Sequence, residues 1–219
     1  MQVGIVYTGV TEQLVENVDK ELRQALGSSV KLKSYSNPEI LASLRKSGGV
    51  NAWAAKELMA LYWQAVDDGA TVLYNACSSV GDVVLAARPM FDLLDVKLVA
   101  IDEEMAMEAV RSASRIAVVA TLRTTLEPTC RLIRRCAEKQ GKSVEIIESV
   151  VDVFGLEPEP FAEALTAAGV QAAKQADVIL LAQGSMAWCE GRIAEATGLP
   201  VLSSPRFGAI GLKNAVEGK

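Results

Sequence analysis

The chain has 219 residues, of which 50% are hydrophobic and 22% are charged, so it can bury a sizeable core and is neither disordered nor fibrous. Its 27 acidic and 22 basic side chains give a net charge of −5, which argues against a nucleic-acid partner. The sequence contains no histidine, and this excludes Ser-His-Asp catalysis, Cys-His catalysis and most zinc sites.

The sequence also indicates the compartment. No apolar run approaches the roughly 18 residues that span a bilayer, and the N-terminus begins directly as a strand, without a basic leader. The four cysteines, Cys77, Cys130, Cys136 and Cys189, have no CxxC spacing, and a chain of this size needs no disulfide framework. We therefore expect a cytoplasmic protein with no membrane partner, no metal and no cofactor.

Apolar patterning alternates between strand and helix along the first half of the chain. The predicted strands cover residues 3–7, 30–35, 72–76 and 96–101. The predicted helices cover 12–26, 38–45, 50–67 and 78–87, and Pro89 is expected to break the last of them.

The second half repeats this plan. Its predicted strands cover 116–120, 144–147, 178–182 and 200–202. A helix starts at Asp102–Glu104, a turn covers 121–125, and further helices cover 126–140, 160–175 and 207–216. Such alternation predicts an α/β fold in which each lobe is a parallel sheet flanked by helices. We place the lobe boundaries at 1–101 plus 205–219 for the N-terminal lobe and 102–204 for the C-terminal lobe.

The two halves also align with each other. Gly4–Thr8 matches Ala117–Thr121 at an offset of 113, and Ala70–Cys77 matches Ala176–Gln183 at an offset of 106. Any two apolar strands can be aligned, but hydroxyl-bearing residues also match after the strands, Thr11 with Thr124 and Ser79 with Ser185. We therefore predict two pseudo-symmetric Rossmann-like lobes.

Four strand-to-helix turns then become candidate ligand contacts, at residues 8–11, 75–79, 121–125 and 183–186. Ligands of open parallel sheets bind outside the carboxyl ends of the strands, so we expect the active site in the cleft between the lobes. Thr121, Thr124 and Thr125 could hold a carboxylate or another anion there, and Thr124 with Glu127 has capping-box spacing. The alternative is that these hydroxyls only cap their helices.

Cys77 is the candidate reactive group. An apolar strand leads directly to it, and Ser79 with Asp82 has capping-box spacing immediately afterwards. Unpaired backbone N–H groups at a helix start favour the reactive thiolate, whereas the Asp82 carboxylate would oppose it. The alternative is an ordinary core cysteine.

These motifs resemble the aspartate/glutamate/hydantoin racemase superfamily, most of all its hydantoin/allantoin racemase branch. The matching segments are Ala76–Asp82, Ile101–Met105, Val118–Leu122 and Leu181–Ala187. The resemblance implies two pseudo-symmetric lobes, a cofactor-independent reaction on a small carboxylate- or amide-bearing substrate, and an active-site cysteine after a strand in each lobe. We also expect a homo-oligomer.

One departure from the family pattern is chemically important. Gln183 stands where the second-lobe cysteine is expected, and an amide cannot exchange a proton at neutral pH. The resemblance therefore favours a racemase or isomerase that works through Cys77 alone. The alternatives are a single-cysteine lyase, decarboxylase or cis-trans isomerase, and a non-catalytic small-acid binding protein. Ser185, Tyr7 or a water molecule would have to replace the missing thiol if two-sided proton exchange occurs.

The predicted site contains two groups of residues. The catalytic group is Cys77, Gln183 and Ser185, and the substrate-binding group is Thr8, Asn75, Ser78, Ser79, Thr121, Thr124, Thr125, Gly184 and Met186.

Overall fold

A computed structural model describes residues 1–27, 29–153 and 155–218. The chain divides into two compact units, Met1–Ile101 with Pro205–Lys219, and Asp102–Ser204. The strands are β1 (Gln2–Tyr7), β2 (Lys31–Ser36), β3 (Val72–Asn75), β4 (Lys97–Ala100), β5 (Arg115–Ala120), β6 (Glu145–Val150), β7 (Val178–Leu181) and β8 (Val201–Ser203).

The α-helices are α1 (Glu12–Leu26), α2 (Pro38–Ser47), α3 (Ala52–Asp67), α4 (Gly81–Asp92), α5 (Glu103–Ser112), α6 (Arg123–Lys139), α7 (Pro158–Ala172), α8 (Glu190–Thr197) and α9 (Ser204–Glu217). Two 3-10 helices, Ser78–Val80 and Gly184–Cys189, precede α4 and α8. No helix in the described ranges is long and apolar enough to cross a membrane.

Side-chain caps fix the starts of the first three helices. Thr11 accepts a hydrogen bond from the Leu14 amide, and Asn37 and Asn51 cap α2 and α3 in the same way. Gly48 ends α2 in the left-handed conformation, with φ of 75°, which glycine adopts without a steric penalty.

Unit 1 is a parallel sheet of order β2-β1-β3-β4 with a core on each face. Helices α2, α3 and α4 cover one face, where Leu44, Leu58 and Phe91 are fully buried. Helices α1 and α9 cover the other face, where Leu22 and Leu212 are fully buried. Each such side chain contributes about 1.5–3 kcal/mol by leaving water.

Helix α9 lies very close to its own sheet. A Cβ atom added at Gly208 would lie 2.6 Å from the carbonyl oxygen of Ile101, so only glycine permits this approach. The C-terminal helix therefore completes unit 1, although unit 2 separates it from β4 in the sequence.

Unit 2 repeats the topology with the order β6-β5-β7-β8. The register is repeated as well, because Val3 pairs with Val72 in unit 1 and Ile116 pairs with Val178 in unit 2. These pairs are related by the offsets of 113 and 106 that the sequence shows. The predicted α/β architecture of two similar lobes is confirmed.

Several predicted helix boundaries were wrong. Pro89 does not break α4, which continues to Asp92, because a proline in the last turn removes only one backbone donor. The first turn after Cys77 is a 3-10 helix, and Val80 rather than Ser79 is the N-cap of α4, so the predicted helix start at Ser79 is wrong.

Helix α6 also starts earlier than predicted. It begins at Arg123 with Leu122 as N-cap, which places Thr124 and Thr125 inside the first turn rather than before it. The predicted Thr124–Glu127 capping box is therefore wrong as well. The apolar Leu122 gives no capping signal in the sequence, whereas the threonines after it do.

Candidate active site

Cys77 lies at the carboxyl end of β3, in the residue before the 3-10 helix Ser78–Val80. It has extended backbone angles, φ −143° and ψ 113°, and its half-buried side chain packs against the hydrophobic core under α3 and α4. The other three cysteines are buried. Cys77, which the sequence predicts to be the reactive thiol, is therefore the most accessible of the four cysteines.

A buried hydrogen-bonded chain holds the backbone of this turn. The Tyr62 hydroxyl donates to Asn75 Oδ1 at 2.9 Å, and Asn75 Nδ2 donates to the Cys77 carbonyl at 2.8 Å. Burial raises the pKa of Tyr62 well above its usual value, and the charge of a Cys77 thiolate raises it further. Tyr62 therefore stays a protonated donor, and Asn75 connects α3 to the cysteine turn.

Thr8 follows β1 and is the lateral neighbour of Cys77. Val6 pairs with Asn75, so two residues further along these parallel strands Thr8 is level with Cys77. Its side chain is fully buried, and Thr8 Oγ1 has no hydrogen-bond partner among the residues that the structure describes. An orphaned buried hydroxyl costs about 1–3 kcal/mol, which makes it a strong candidate ligand contact.

Ser78 and Ser79 form the 3-10 helix after Cys77, and both side chains are buried. The Gly81 amide donates to the Ser78 carbonyl and so closes this short helix before α4 begins. The two serines lie next to the thiol in sequence, and their substrate contacts stay predictions.

In unit 2 the equivalent of Cys77 is Gln183, at the carboxyl end of β7. Its Oε1 accepts a hydrogen bond from the Thr121 amide at 3.1 Å, and its Nε2 donates to Thr121 Oγ1 at 2.7 Å. Thr121 is the equivalent of Thr8, so the same pair of strand ends is bridged in unit 2 by a side-chain amide. The predicted site residues Gln183 and Thr121 are therefore in contact, and the sequence analysis did not predict this contact.

Thr124 and Thr125 occupy the first turn of α6. The Thr125 amide donates to the Leu122 carbonyl at 3.0 Å, and the Thr125 carbonyl accepts a bond from Thr129 Oγ1 at 2.9 Å. Thr124 Oγ1 is buried without a partner in the described part of the chain. An anion contact at the Thr124 hydroxyl stays a prediction.

The remaining predicted residues lie in the 3-10 helix after Gln183. Gly184 and Ser185 are half-buried, whereas Met186 is fully buried in the core with Ile179 and Ile193. Packing explains Met186, which takes the place that Val80 has in unit 1. That the turns of both units line one cleft stays a prediction.

Other groups that could move protons are held neutral. Burial raises the pKa of Cys189 to about 11 and that of Cys136 to about 11, so both are thiols at pH 7. Burial, aided by the charge of Asp19, also raises the pKa of Tyr7 above its usual range. Tyr7 is 2% exposed and is therefore a poor replacement for the missing base.

The sequence analysis missed two hydrogen-bonded pairs of polar side chains. The first is Tyr62 with Asn75, because Tyr62 lies in an apolar helix and its position does not indicate a hydrogen bond. Glu190 Oε2 accepts a 2.5 Å hydrogen bond from Ser203 Oγ at the carboxyl end of β8. The equivalent positions in unit 1 are Val84 and Ala100, so comparing the two halves of the sequence could have found this second pair.

Comparisons with known proteins identify the family of the chain. The model of the Asp/Glu/Hydantoin racemase family matches residues 3–209. No curated protein matches the chain.

Solved structures share the fold at low sequence identity. An allantoin racemase from Klebsiella pneumoniae has a TM-score of 0.69 and 17% identity, with 100% of this chain and 89% of that chain covered. A glutamate racemase from Bacillus anthracis has a TM-score of 0.72 and 16% identity, covering 99% and 81%. An aspartate racemase from Picrophilus torridus has a TM-score of 0.66 and 14% identity, covering 98% and 94%.

The family model spans nearly the whole chain, including both strand-end turns and both 3-10 helices. The chain is therefore a member of the Asp/Glu/hydantoin racemase family, a family of isomerase enzymes.

Proposed function

We propose that this protein is a cofactor-independent enzyme of the racemase and isomerase class that acts on a small carboxylate- or amide-bearing substrate through Cys77. The proposal depends on two side chains at neighbouring strand ends: the half-buried thiol of Cys77, and the buried hydroxyl of Thr8, which has no hydrogen-bond partner among the described residues. The thiol supplies the chemistry, and the hydroxyl supplies a contact for a polar group of the substrate.

The two hydrogen bonds that link Tyr62, Asn75 and Cys77 in series support a function in positioning the cysteine turn. Burying a tyrosine hydroxyl and an amide is unfavourable unless they are hydrogen-bonded. Here the Tyr62 hydroxyl bonds to the Asn75 side chain, and the Asn75 side chain in turn bonds to the backbone carbonyl of Cys77. The turn is thereby fixed before a substrate arrives, and a fixed reactive group is what efficient catalysis requires.

We propose that proton exchange occurs on one face of the substrate carbon. The Cys77 thiolate removes a proton from the acidic carbon, the resulting thiol exchanges that proton with solvent, and it returns a proton to the same carbon. Gln183 offers no titratable group, and its amide is already bonded to Thr121. The stereochemistry of the substrate is then retained during exchange.

Deuterium exchange tests this function directly. The protein is incubated in D2O with amino acids, hydantoins, hydroxy acids and dicarboxylic acids, and each compound is examined by mass spectrometry and chiral chromatography. We expect one deuterium to enter a substrate with retained configuration, and Cys77→Ala to remove that exchange.

Other outcomes would contradict the one-face mechanism or the proposed class. Interconversion of both enantiomers would overturn the one-face mechanism but not the racemase class, because it would show a second proton-transfer group, with Ser185 as the first candidate. Loss of carbon dioxide or a change of double-bond geometry would indicate the single-cysteine lyase, decarboxylase or cis-trans isomerase alternative. Binding without any turnover would indicate a small-acid binding protein. The homo-oligomer stays a prediction for size-exclusion chromatography with light scattering.

A further inference from the structure

The Gln183 side chain contacts Thr121 in the way that a bound amide would. Its carbonyl oxygen accepts from a backbone N–H at 3.1 Å, and its NH₂ donates to a hydroxyl at 2.7 Å. Both bonds go to one residue, so the carboxamide and Thr121 form a closed two-point contact. A carboxamide or carboxylate of a small molecule would make the same contact.

The equivalent position in unit 1 has no such two-point contact. Cys77 has a short side chain with one weakly bonding heavy atom, and it cannot make a two-point contact with Thr8. Thr8 is fully buried, and Thr8 Oγ1 has no partner within the described ranges. The two turns have the same strand register but differ in whether their threonine is already bound.

We infer that the Gln183 carboxamide is a built-in ligand of the unit 2 turn and a specificity-determining residue, because it closes the Thr121 contacts to carboxylate and amide groups of the substrate. Recognition of such a group then depends on the other predicted contacts, among them Thr8 in unit 1 and Thr124 in unit 2. This statement about the substrate rests on the proposed function, whereas the closure of Thr121 can be tested without any substrate.

The test is an NMR titration of the full-length protein with acetamide, which has the same polar group as the glutamine side chain. In the Gln183→Ala variant, we expect hydrogen exchange of the Thr121 amide to accelerate at least about tenfold. Millimolar acetamide should then shift the Thr121 amide signal toward its native position. The native protein should show no acetamide-dependent shift at Thr121, because Gln183 occupies the contact.

Two further variants distinguish a ligand-like contact from simple loss of packing. In Gln183→Ala/Thr121→Val, which lacks the hydroxyl but keeps the backbone N–H, acetamide should bind about tenfold more weakly. In Gln183→Glu, the carboxylate can accept from both the N–H and the hydroxyl, so Thr121 should stay protected and unresponsive to acetamide.

The outcomes separate this inference from the proposed function. An equal acetamide shift at Thr121 in the native protein and in Gln183→Ala would overturn the inference, as would unchanged Thr121 exchange in Gln183→Ala. The Thr8 signal of the native protein serves as the second readout, and its failure to respond to any substrate-like carboxylate or amide would count against the proposed function alone.

Discussion

The turns after β3 and after β7 share a backbone plan but differ in the chemistry of their side chains. In unit 1 the turn carries a half-buried thiol, and a buried tyrosine–asparagine chain holds its backbone. In unit 2 an amide bridges the strand ends, and leucine takes the place of the asparagine, since Leu181 is the equivalent of Asn75. The repeated fold provides two similar turns, of which one carries a half-buried thiol and the other is bridged by an amide.

Both units bury polar side chains. Those of unit 1 are Gln2, Thr8, Asn75, Ser78 and Ser79, and those of unit 2 are Asp102, Thr125, Thr129, Ser203 and Ser204. Burying polar groups lowers stability unless every one of them is bonded. The units differ at the turns after β3 and β7, because Ser78 and Ser79 are buried whereas Ser185 is half-buried.

The largest expected effect is on catalysis. Cys77→Ser should reduce the turnover of any substrate at least about 10³-fold, because a serine hydroxyl without a neighbouring base stays protonated at pH 7. The matched control is Cys189→Ser, which alters a buried thiol of unit 2. Rates are compared per folded protein, measured by circular dichroism. Similar losses in both variants would show that the reactive thiol is not specific to the unit 1 turn.

The second prediction concerns thiol accessibility and pH. Burial raises the pKa of Cys130 to about 12 and that of Cys136 and of Cys189 to about 11. At pH 8 each of these is about 0.1% thiolate or less, and the reactive fraction increases only as the pH rises toward those values. We therefore expect iodoacetamide to label Cys77 at least about 100-fold faster than the other three cysteines in the native protein.

Peptide mass spectrometry over a range of pH measures these labelling rates. Labelling of the urea-unfolded protein provides the control, because all four thiols should then react at similar rates. Slower labelling at Cys77 than at Cys130 in the folded protein would contradict the prediction that Cys77 is the accessible thiol.

The third prediction concerns the chain that holds the cysteine turn. Tyr62→Phe leaves Asn75 Oδ1 buried without its donor and should lower the free energy of unfolding by about 1–3 kcal/mol. In an Asn75→Leu background, which copies Leu181 of unit 2, the same tyrosine change should cost less. Urea unfolding of the two single variants and the double variant gives the coupling energy. A coupling energy near zero would mean that the hydrogen bond between Tyr62 and Asn75 does not contribute to stability.

The smallest expected effect concerns anion binding by the first turn of α6. An anion at ten times its dissociation constant adds about 1.4 kcal/mol to the stability of the folded protein, which raises Tm by a few degrees. Replacing Thr124 and Thr125 by alanine should remove most of the rise in Tm caused by acetate, sulfate or phosphate. The control Thr166→Ala alters a threonine that bonds within α7, and it should keep that rise. An unchanged response in the double variant would mean that the turn binds no anion.

Much of the fold was predictable because it depends on local periodicity. Strand and helix spacing indicated eight strands, and the offsets of 113 and 106 indicated which strands are equivalent. The errors lie at helix starts. Thr124 and Glu127 have the spacing of a capping box, but Leu122 became the N-cap of α6, since the packing of the helix on its sheet outweighed the capping preference.

The sequence by itself determined the two-lobe α/β plan, the position of Cys77 directly after an apolar strand, and the absence of a titratable group at Gln183. Only the tertiary structure decided what those side chains contact. The bond between Tyr62 and Asn75 joins a helix to a strand, and the bond between Gln183 and Thr121 joins the ends of two strands that are 62 residues apart. A hydrogen bond depends on the distance and angle between groups that folding brings together, and residue spacing along the chain does not specify these quantities.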